Sequence, residues 1–129
     1  MGYWDVGPFD NSAARDVVEA IRAGRFNLDQ FIFDCTGENE LDADLGAGIV
    51  ALLALLDDTY ELPPGIACTD VTALDTPRAW SWLRGQRLRV LNPEKSGLYA
   101  FWEQSGQLQD WLAVTTPIGR PGLRKLHKK

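Results

Sequence analysis

The acidic side chains between positions 34 and 58 are the residues of this sequence best suited to chemistry. The stretch DCTGENELDAD places oxygen-bearing side chains at alternate positions, as the ligands of a calcium loop are placed. Such a loop needs glycine at its sixth position and glutamate at its twelfth, where this sequence has Asn39 and Leu45. We therefore expect a solvated acidic loop, with Asp42 or Asp44 capping the next helix. The positions that would supply calcium ligands are Asp34, Thr36, Glu38, Glu40 and Asp42.

A second use of these carboxylates is the recognition of a basic partner. Residues 1–76 carry 3 basic and 15 acidic side chains, a net charge of −12, whereas residues 77–129 carry 10 basic and 3 acidic ones, a net charge of +7. Either the two halves neutralise each other, or the acidic half is a surface that steers a basic protein towards it. Two of the acids follow an apolar run, where negative charge opposes the helix dipole, and we expect both to point to water unless they meet a partner. The candidate partner contacts are Glu38, Glu40, Asp42, Asp44, Asp57 and Asp58.

This sequence lacks the residue combinations that most catalytic sites need. The only histidine, His127, lies in a basic stretch far from Cys35 and Cys68, and nucleophilic catalysis by serine or cysteine usually needs a histidine beside the nucleophile. A zinc site needs clustered histidines and cysteines, and neither of the glycine-rich phosphate-binding motifs occurs. The sequence therefore predicts no cofactor and no metal and favours a protein that is not an enzyme. The two cysteines are expected to be reduced thiols in or near the core.

Four arginines interleaved with two tryptophans could bind a nucleic acid, because arginine pairs with phosphate and tryptophan stacks on bases. The alternative is that the tryptophans lie in the core while the arginines lie at its rim or pair with the acidic half. The overall charge of −5 favours this alternative, so we expect no nucleic-acid partner. The residues concerned are Arg78, Arg84, Arg87 and Arg89, with Trp80 and Trp82.

Helical periodicity runs through nearly the whole chain and predicts an all-α fold. The apolar run GAGIVALLALL leaves little polar face, so its helix is expected at the centre of a compact bundle of five to six helices. This run is too short to span a membrane, and positions 1–9 lack the features of a signal peptide, so we expect a cytoplasmic protein. We expect one helical domain over residues 1–129, with an anchored lead-in at 1–9 and an irregular basic tail at 117–129.

Capping and helix-breaking residues predict where the helices begin and end. The longest irregular connection is expected at residues 61–75. Helix starts are expected at Asp10 or Asn11, at Asn27, at Asp42 or Asp44, at Thr76-Pro77 and at Asn92-Pro93-Glu94, and helix ends at Gly24, near Gly37 and at Gly106.

The opening stretch MGYWDVGPFDN has the composition of a rigid lead-in. Gly2 and Gly7 permit backbone angles that other residues avoid, and Pro8 fixes its own φ. Trp4 and Phe9 are large apolar side chains that we expect to be buried against the helices, with Phe9 placed for a hydrophobic staple.

The opening also resembles a known family. The pattern Met1-Gly2-x-Trp4-x-x-Gly7-Pro8-Phe9-Asp10-Asn11-x-x-Ala14, and the later block LYAFWEQSG followed by Trp111, are similar to motifs of the bacterial domain-of-unknown-function family numbered 4259. The resemblance spans most of the chain and departs after Trp111, where prolines and glycines interrupt a helix that family members continue. It implies a small, mostly helical, bacterial cytosolic protein and no known reaction. The matching residues that we expect to be structural are Gly2, Trp4, Gly7, Pro8, Phe9, Asp10, Asn11, Trp102, Ser105 and Gly106.

These features favour a non-catalytic protein-binding module of the immunity or antitoxin kind. The chain is small and acidic, and acidic patches steer towards basic partners such as nuclease toxins. One alternative is an enzyme that uses carboxylates or a metal in the acidic region. Another is a nucleic-acid-associated regulator that uses the arginine-rich helix. The sequence does not indicate an oligomeric state.

Overall fold

The computed structural model describes residues 3, 5–36, 40–57, 62–63, 65–72 and 74–118. Within these ranges the chain forms seven helices and no strand, which confirms the predicted all-α fold. There is one helix more than the five to six expected, because a short helix forms within the connection expected to be irregular at 61–75. None of the helices in the described ranges is long and apolar enough to cross a membrane. The helices are α1 (Ser12–Arg22), α2 (Leu28–Cys35), α3 (Ala43–Leu56), α4 (Cys68–Thr72), α5 (Pro77–Val90), α6 (Gly97–Ser105) and α7 (Leu108–Thr115).

Helix α3 lies at the centre of the fold, as its apolar run predicts. All residues from 46 to 56 are buried, and α1, α5 and α6 each pack against this helix. Two glycines allow close packing: a Cβ at Gly48 would lie 2.9 Å from the ring of Phe31 in α2, and a Cβ at Gly46 would lie 3.3 Å from Leu98 in α6. Burial of one leucine or isoleucine side chain contributes about 1.5–3 kcal/mol, so this helix supplies much of the core energy.

Most helix starts follow the capping signals in the sequence. Asn11 Oδ1 accepts a hydrogen bond from the backbone N–H of Ala14 over 2.8 Å, and Asn27 Oδ1 accepts one from Gln30 over 3.0 Å. Each bond satisfies a donor that the first helical turn leaves free, which contributes about 0.5–2 kcal/mol. Asp42 and Thr76 cap α3 and α5 in the same way, and Gly24 and Gly106 follow helix ends with φ of +74° and +83°.

The start predicted for α6 at Asn92-Pro93-Glu94 is wrong, because this helix begins at Gly97 with Ser96 as its cap. Asn92 Oδ1 accepts from the N–H of Glu94 over 2.7 Å, so Asn92 stabilises a turn and caps no helix. The helix start is set by a tertiary contact: Leu41 N–H donates to the Lys95 carbonyl over 2.7 Å, and Gly97 N–H donates to the Leu41 carbonyl over 2.8 Å.

The last helix, α7, ends at Thr115, and Ile118 beyond it is 3% exposed and part of the core. Helix α2 ends at Cys35, slightly before the predicted end near Gly37. Residues 119–129 of the expected basic tail lie outside the described residues, as do Gly37 itself and the segment 58–61.

Candidate functional site

The opening segment is folded onto the start of α1 by a tight turn. Asp10 N–H donates to the Gly7 carbonyl over 3.2 Å, and a Cβ at Gly7 would lie 2.3 Å from the Asp10 carboxylate. Pro8 is buried and Phe9 is half-buried. Because Asn11 caps the helix, Phe9 lies two residues before the cap and not at the staple position; its carbonyl instead accepts from Arg15 Nε over 3.1 Å. Gly2 and Trp4 lie outside the described residues, so the expected burial of Trp4 stays a prediction.

The two sequence motifs meet in space around a small cavity. Val6, Gly7, Pro8 and Asn11 from the opening segment, Ala47 and Val50 from α3, Leu98 and Trp102 from α6, and Trp111 from α7 line this cavity. Its volume is about 10 Å³, which is close to the space that a single water molecule needs. Gly7, Pro8, Asn11, Trp102 and Trp111 of the two motifs therefore lie at the contact between the opening segment and the core.

The later motif also shapes the turn between α6 and α7. Ser105 Oγ donates to the Trp102 carbonyl over 2.8 Å and accepts from the Gln107 N–H over 3.2 Å. Gly106 adopts a φ of +83°, a left-handed conformation that favours glycine. Trp102 is 4% exposed and its ring meets that of Phe101 edge-on at 5.1 Å.

Tyr3 connects the opening segment to the acidic region. Its ring lies 4.6 Å from that of Phe101 and meets that of Trp102 edge-on at 6.1 Å. Its hydroxyl donates to the Asp44 carboxylate over 2.9 Å. Burial, followed by the hydrogen bond to Asp44 and the negative charges of Asp44 and Asp42, raises the pKa of the Tyr3 hydroxyl well above its ordinary value. Tyr3 was not among the residues selected from the sequence, although an aromatic ring with a polar end is suited to this kind of bridge.

Three of the predicted partner contacts lie together at the start of α3. Glu40, Asp42 and Asp44 are all exposed, and Asp42 accepts from the Asp44 N–H over 3.0 Å. A groove of about 550 Å³ runs beside them, lined by Asp34, Glu40, Leu41, Asp42, Ala43, Leu45 and Gly97. Asp34, which the sequence suggested only as a calcium ligand, is therefore part of this surface. We call Asp34, Glu40, Asp42 and Asp44 the acidic face.

Asp57 lies at the other end of α3 and is only 2% exposed, so the expectation that it points to water is wrong. The reason is its helix, which is surrounded by other elements and therefore buries the residue that follows its last turn. An α-helix rises about 1.5 Å per residue, so this aspartate lies about 20 Å from the acidic face. Glu38 and Asp58 lie outside the described residues.

The arginines of α5 hold other segments of the chain in place. Arg89 donates to the Cys35 carbonyl at the end of α2 over 3.0 Å, and Arg87 donates to the carbonyls of Ile118, over 3.0 Å, and Thr116. Arg78 pairs with Asp29 in α2, where both side chains are well exposed. This pattern fits the expectation that the arginines lie at the rim of the core or pair with the acidic half: Arg87 and Arg89 donate to carbonyls, and Arg78 pairs with an acid of the first half.

Helix α5 also carries two tryptophans with polar or aromatic contacts and one exposed leucine. Trp80 is 6% exposed and donates through Nε1 to Asp75 over 2.9 Å, while the guanidinium of Arg84 lies 5.8 Å from the centre of its ring. Trp82 meets the ring of Phe31 edge-on at 6.0 Å. Leu88, in the same helix, is 67% exposed.

Groups of three or more potential metal ligands do not occur among the described residues. Cys35 is buried, and desolvation raises the pKa of its thiol to about 11, which keeps it protonated and unreactive at neutral pH. The side chain of Cys68 is outside the described part of the structure.

Comparison with known proteins identifies the family. The model of the family described as Domain of unknown function (DUF4259) matches residues 2–114, so the chain belongs to this family. No curated protein and no solved structure matches the chain.

Proposed function

We propose that this member of the DUF4259 family is a non-catalytic protein-binding module that presents its acidic face to a basic protein. A role as an immunity protein or antitoxin in the bacterial cytoplasm is the biological setting that we propose for it. The observation that carries the proposal is that Asp34, Glu40 and Asp42 line one groove, with Asp44 next to Asp42 in the first turn of α3, while none of the four forms an ion pair with a lysine or arginine within the described ranges.

Exposed carboxylates on neighbouring residues repel one another, and at physiological salt this repulsion is largely screened only beyond about 8 Å. A basic partner would relieve this repulsion and would be attracted from a distance, which raises its association rate. Backbone pairing between Leu41 and Lys95–Gly97 fixes the main chain that carries Glu40 and Asp42, and the Tyr3 hydroxyl holds the Asp44 carboxylate. The acidic face is therefore preorganised, which lowers the entropic cost of binding.

The arginine-rich helix supports a nucleic-acid regulator less well. Arg87 and Arg89 donate to carbonyls of the chain, Arg78 pairs with Asp29, and Trp80 is buried, so these side chains are engaged within the protein. Exposed carboxylates around a groove are also compatible with an enzyme that uses carboxylates, which is the alternative function.

The proposal is tested by capture from native cells followed by kinetics with the purified partner. The variant Glu40→Gln/Asp44→Asn removes two charges of the acidic face while keeping similar side-chain shapes. The matched control, Glu103→Gln/Asp110→Asn, removes two exposed charges from α6 and α7. We expect the first variant to slow association about tenfold or more at low salt and to flatten its salt dependence.

The control variant should associate at nearly the wild-type rate, because its charges lie outside the acidic face. A captured partner whose association rate responds equally to both variants, or to neither, would contradict the proposal. Stability measured by chemical denaturation accompanies each rate, so that a loss of folded protein is recognised as such.

A further inference from the structure

Among the described residues, two large apolar side chains are exposed, and they belong to neighbouring helices. Phe33 of α2 is 71% exposed and Leu88 of α5 is 67% exposed. Phe33 lies two residues before Cys35, and Leu88 directly precedes Arg89, which donates to the Cys35 carbonyl over 3.0 Å. The two apolar side chains therefore lie in the same region of the surface, where burial by another molecule would be favourable.

The outer side of α5 leaves room for a side chain from outside the chain. Arg78, Ser81, Gly85 and Leu88 recur at the helical spacing of three and four residues, and all four are exposed. A Cβ at Gly85 would meet no described atom within 4 Å, so contacts within the described structure do not require a glycine there. Glycine destabilises a helix interior, and it is typical of positions that something else approaches closely.

The two helices also carry opposite charges. Helix α2 contains Asp29 and Asp34 and no basic residue, whereas α5 contains four arginines and no acid. Asp29 pairs with Arg78 of the same chain, but neither Asp34 nor Arg84 forms an ion pair within the described ranges. A face with one acidic and one basic helix is complementary to a second copy of itself. We propose that two copies of this chain form a two-fold symmetric dimer through the outer sides of α2 and α5.

In this dimer, α2 of each copy lies on α5 of the other copy. Phe33 covers Gly85 and Leu88 of the other copy and fills the room that the glycine leaves. Asp34, the residue after Phe33, then lies near Arg84 of the other copy, because Arg84 is four residues before Leu88 and shares its side of the helix. Each contact occurs twice, since a two-fold interface uses the same residues on both copies.

The face is small, so the dimer should be weak and should depend on protein concentration. Helix α5 has 14 residues and is therefore about 21 Å long, and two packed helices are about 20 Å wide. Each copy then offers roughly 400 Å², about half of what one partner contributes to a standard interface. The dimer does not depend on the proposed function, because it is measured without any partner and Asp34 alone belongs to both surfaces.

Sedimentation velocity of the intact chain tests the dimer. We expect the sedimentation coefficient to rise from that of a monomer towards that of a dimer as the concentration increases from about 10 μM to about 1 mM. Growth should stop at two copies, because a two-fold contact closes on itself. A chain that stays monomeric throughout this range, or that assembles beyond a dimer, would overturn the proposal.

The variant Gly85→Gln separates a role in association from a role in folding. Glutamine favours a helix more than glycine does, so the dilute monomer should be at least as stable as the wild type in urea denaturation. The same side chain occupies the room that Phe33 of the other copy needs, and it should weaken dimerisation about tenfold or more. Ala113→Gln, at an exposed position of α7, is the control and should dimerise like the wild type. Undiminished dimerisation of Gly85→Gln would contradict the proposal.

Charge reversal tests the arrangement of the two copies. Asp34→Arg and Arg84→Asp each place like charges across the interface, and each should weaken the dimer about fivefold or more. The double variant Asp34→Arg/Arg84→Asp restores opposite charges and should recover most of the wild-type affinity. A double variant that dimerises no better than the single ones would show that α2 does not lie on α5 of the other copy, which would overturn the proposal. Circular dichroism of each variant confirms that the compared chains are folded.

Discussion

Gly97 is the residue at which the acidic segment and α6 approach most closely. A Cβ at this position would lie 2.9 Å from the Leu41 carbonyl oxygen and 3.1 Å from the Ala43 nitrogen, and both atoms belong to the backbone. We therefore expect Gly97→Ala to destabilise the protein by about 1–3 kcal/mol, which is typical of overpacking at a rigid site. Urea denaturation followed by circular dichroism measures this change.

Gly85 offers a matched control, because it lies inside α5 with nothing within 4 Å of an added Cβ. The same substitution there removes backbone freedom from the unfolded chain and should stabilise the protein by about 0.4–1 kcal/mol. Two changes of equal sign and size would show that the contact between Gly97 and Leu41 does not constrain the structure. A change at Gly97 should also alter the acidic face, since Leu41 lies between Glu40 and Asp42.

At the scale of single elements, α5 holds the end of α2 through the hydrogen bond that Arg89 donates to the Cys35 carbonyl. Arg89→Met removes a charged hydrogen bond to the end of α2, and we expect a loss of about 1.5–3 kcal/mol in the free energy of unfolding. Arg78→Met, in the same helix, removes only an exposed ion pair with Asp29 and should cost less than about 1 kcal/mol. Thermal and urea denaturation of both variants measures the difference. Equal losses would mean that Arg89 does not hold the end of α2.

The elements also show how far sequence reasoning reaches. Local signals were sufficient for α1, α3 and α5, because a capping side chain and an apolar stripe act within a few residues. They failed for α6, because its start is fixed by pairing with Leu41, more than fifty residues away along the chain. The short α4 escaped prediction because five residues are too few to show a helical period.

The candidate site was predictable to a similar degree. Glu40, Asp42 and Asp44 are neighbours in sequence, so their grouping follows from the pattern of acids alone. The burial of Asp57 and the inclusion of Asp34 in the groove depend on which helices pack together, and no local pattern contains that information. The sequence also suggested mutual neutralisation of its two halves. The described structure contains one such pair, between Arg78 and Asp29, while Arg87 and Arg89 also donate to backbone carbonyls.

At the scale of the whole molecule, the joint between the opening segment and the core should be visible in the dependence of stability on pH. The folded state raises the pKa of the Tyr3 hydroxyl through burial and through Asp44, whereas an unfolded tyrosine ionises near pH 10. Above about pH 10 the unfolded chain loses this proton before the folded one does, so the contribution of Tyr3 is complete below pH 10 and falls as the pH rises beyond it. Tyr3→Phe removes the hydrogen bond to Asp44 and should cost about 0.5–1.5 kcal/mol at pH 7. The variant should then lose less stability than the wild type between pH 9 and pH 11, as measured by urea denaturation at each pH.

Tyr99→Phe removes a hydroxyl for which the described residues provide no hydrogen bond, and it should retain the wild-type profile. A Tyr3→Phe variant whose profile runs parallel to that of the wild type over this range would show that the Tyr3–Asp44 bond does not hold the opening segment against the core.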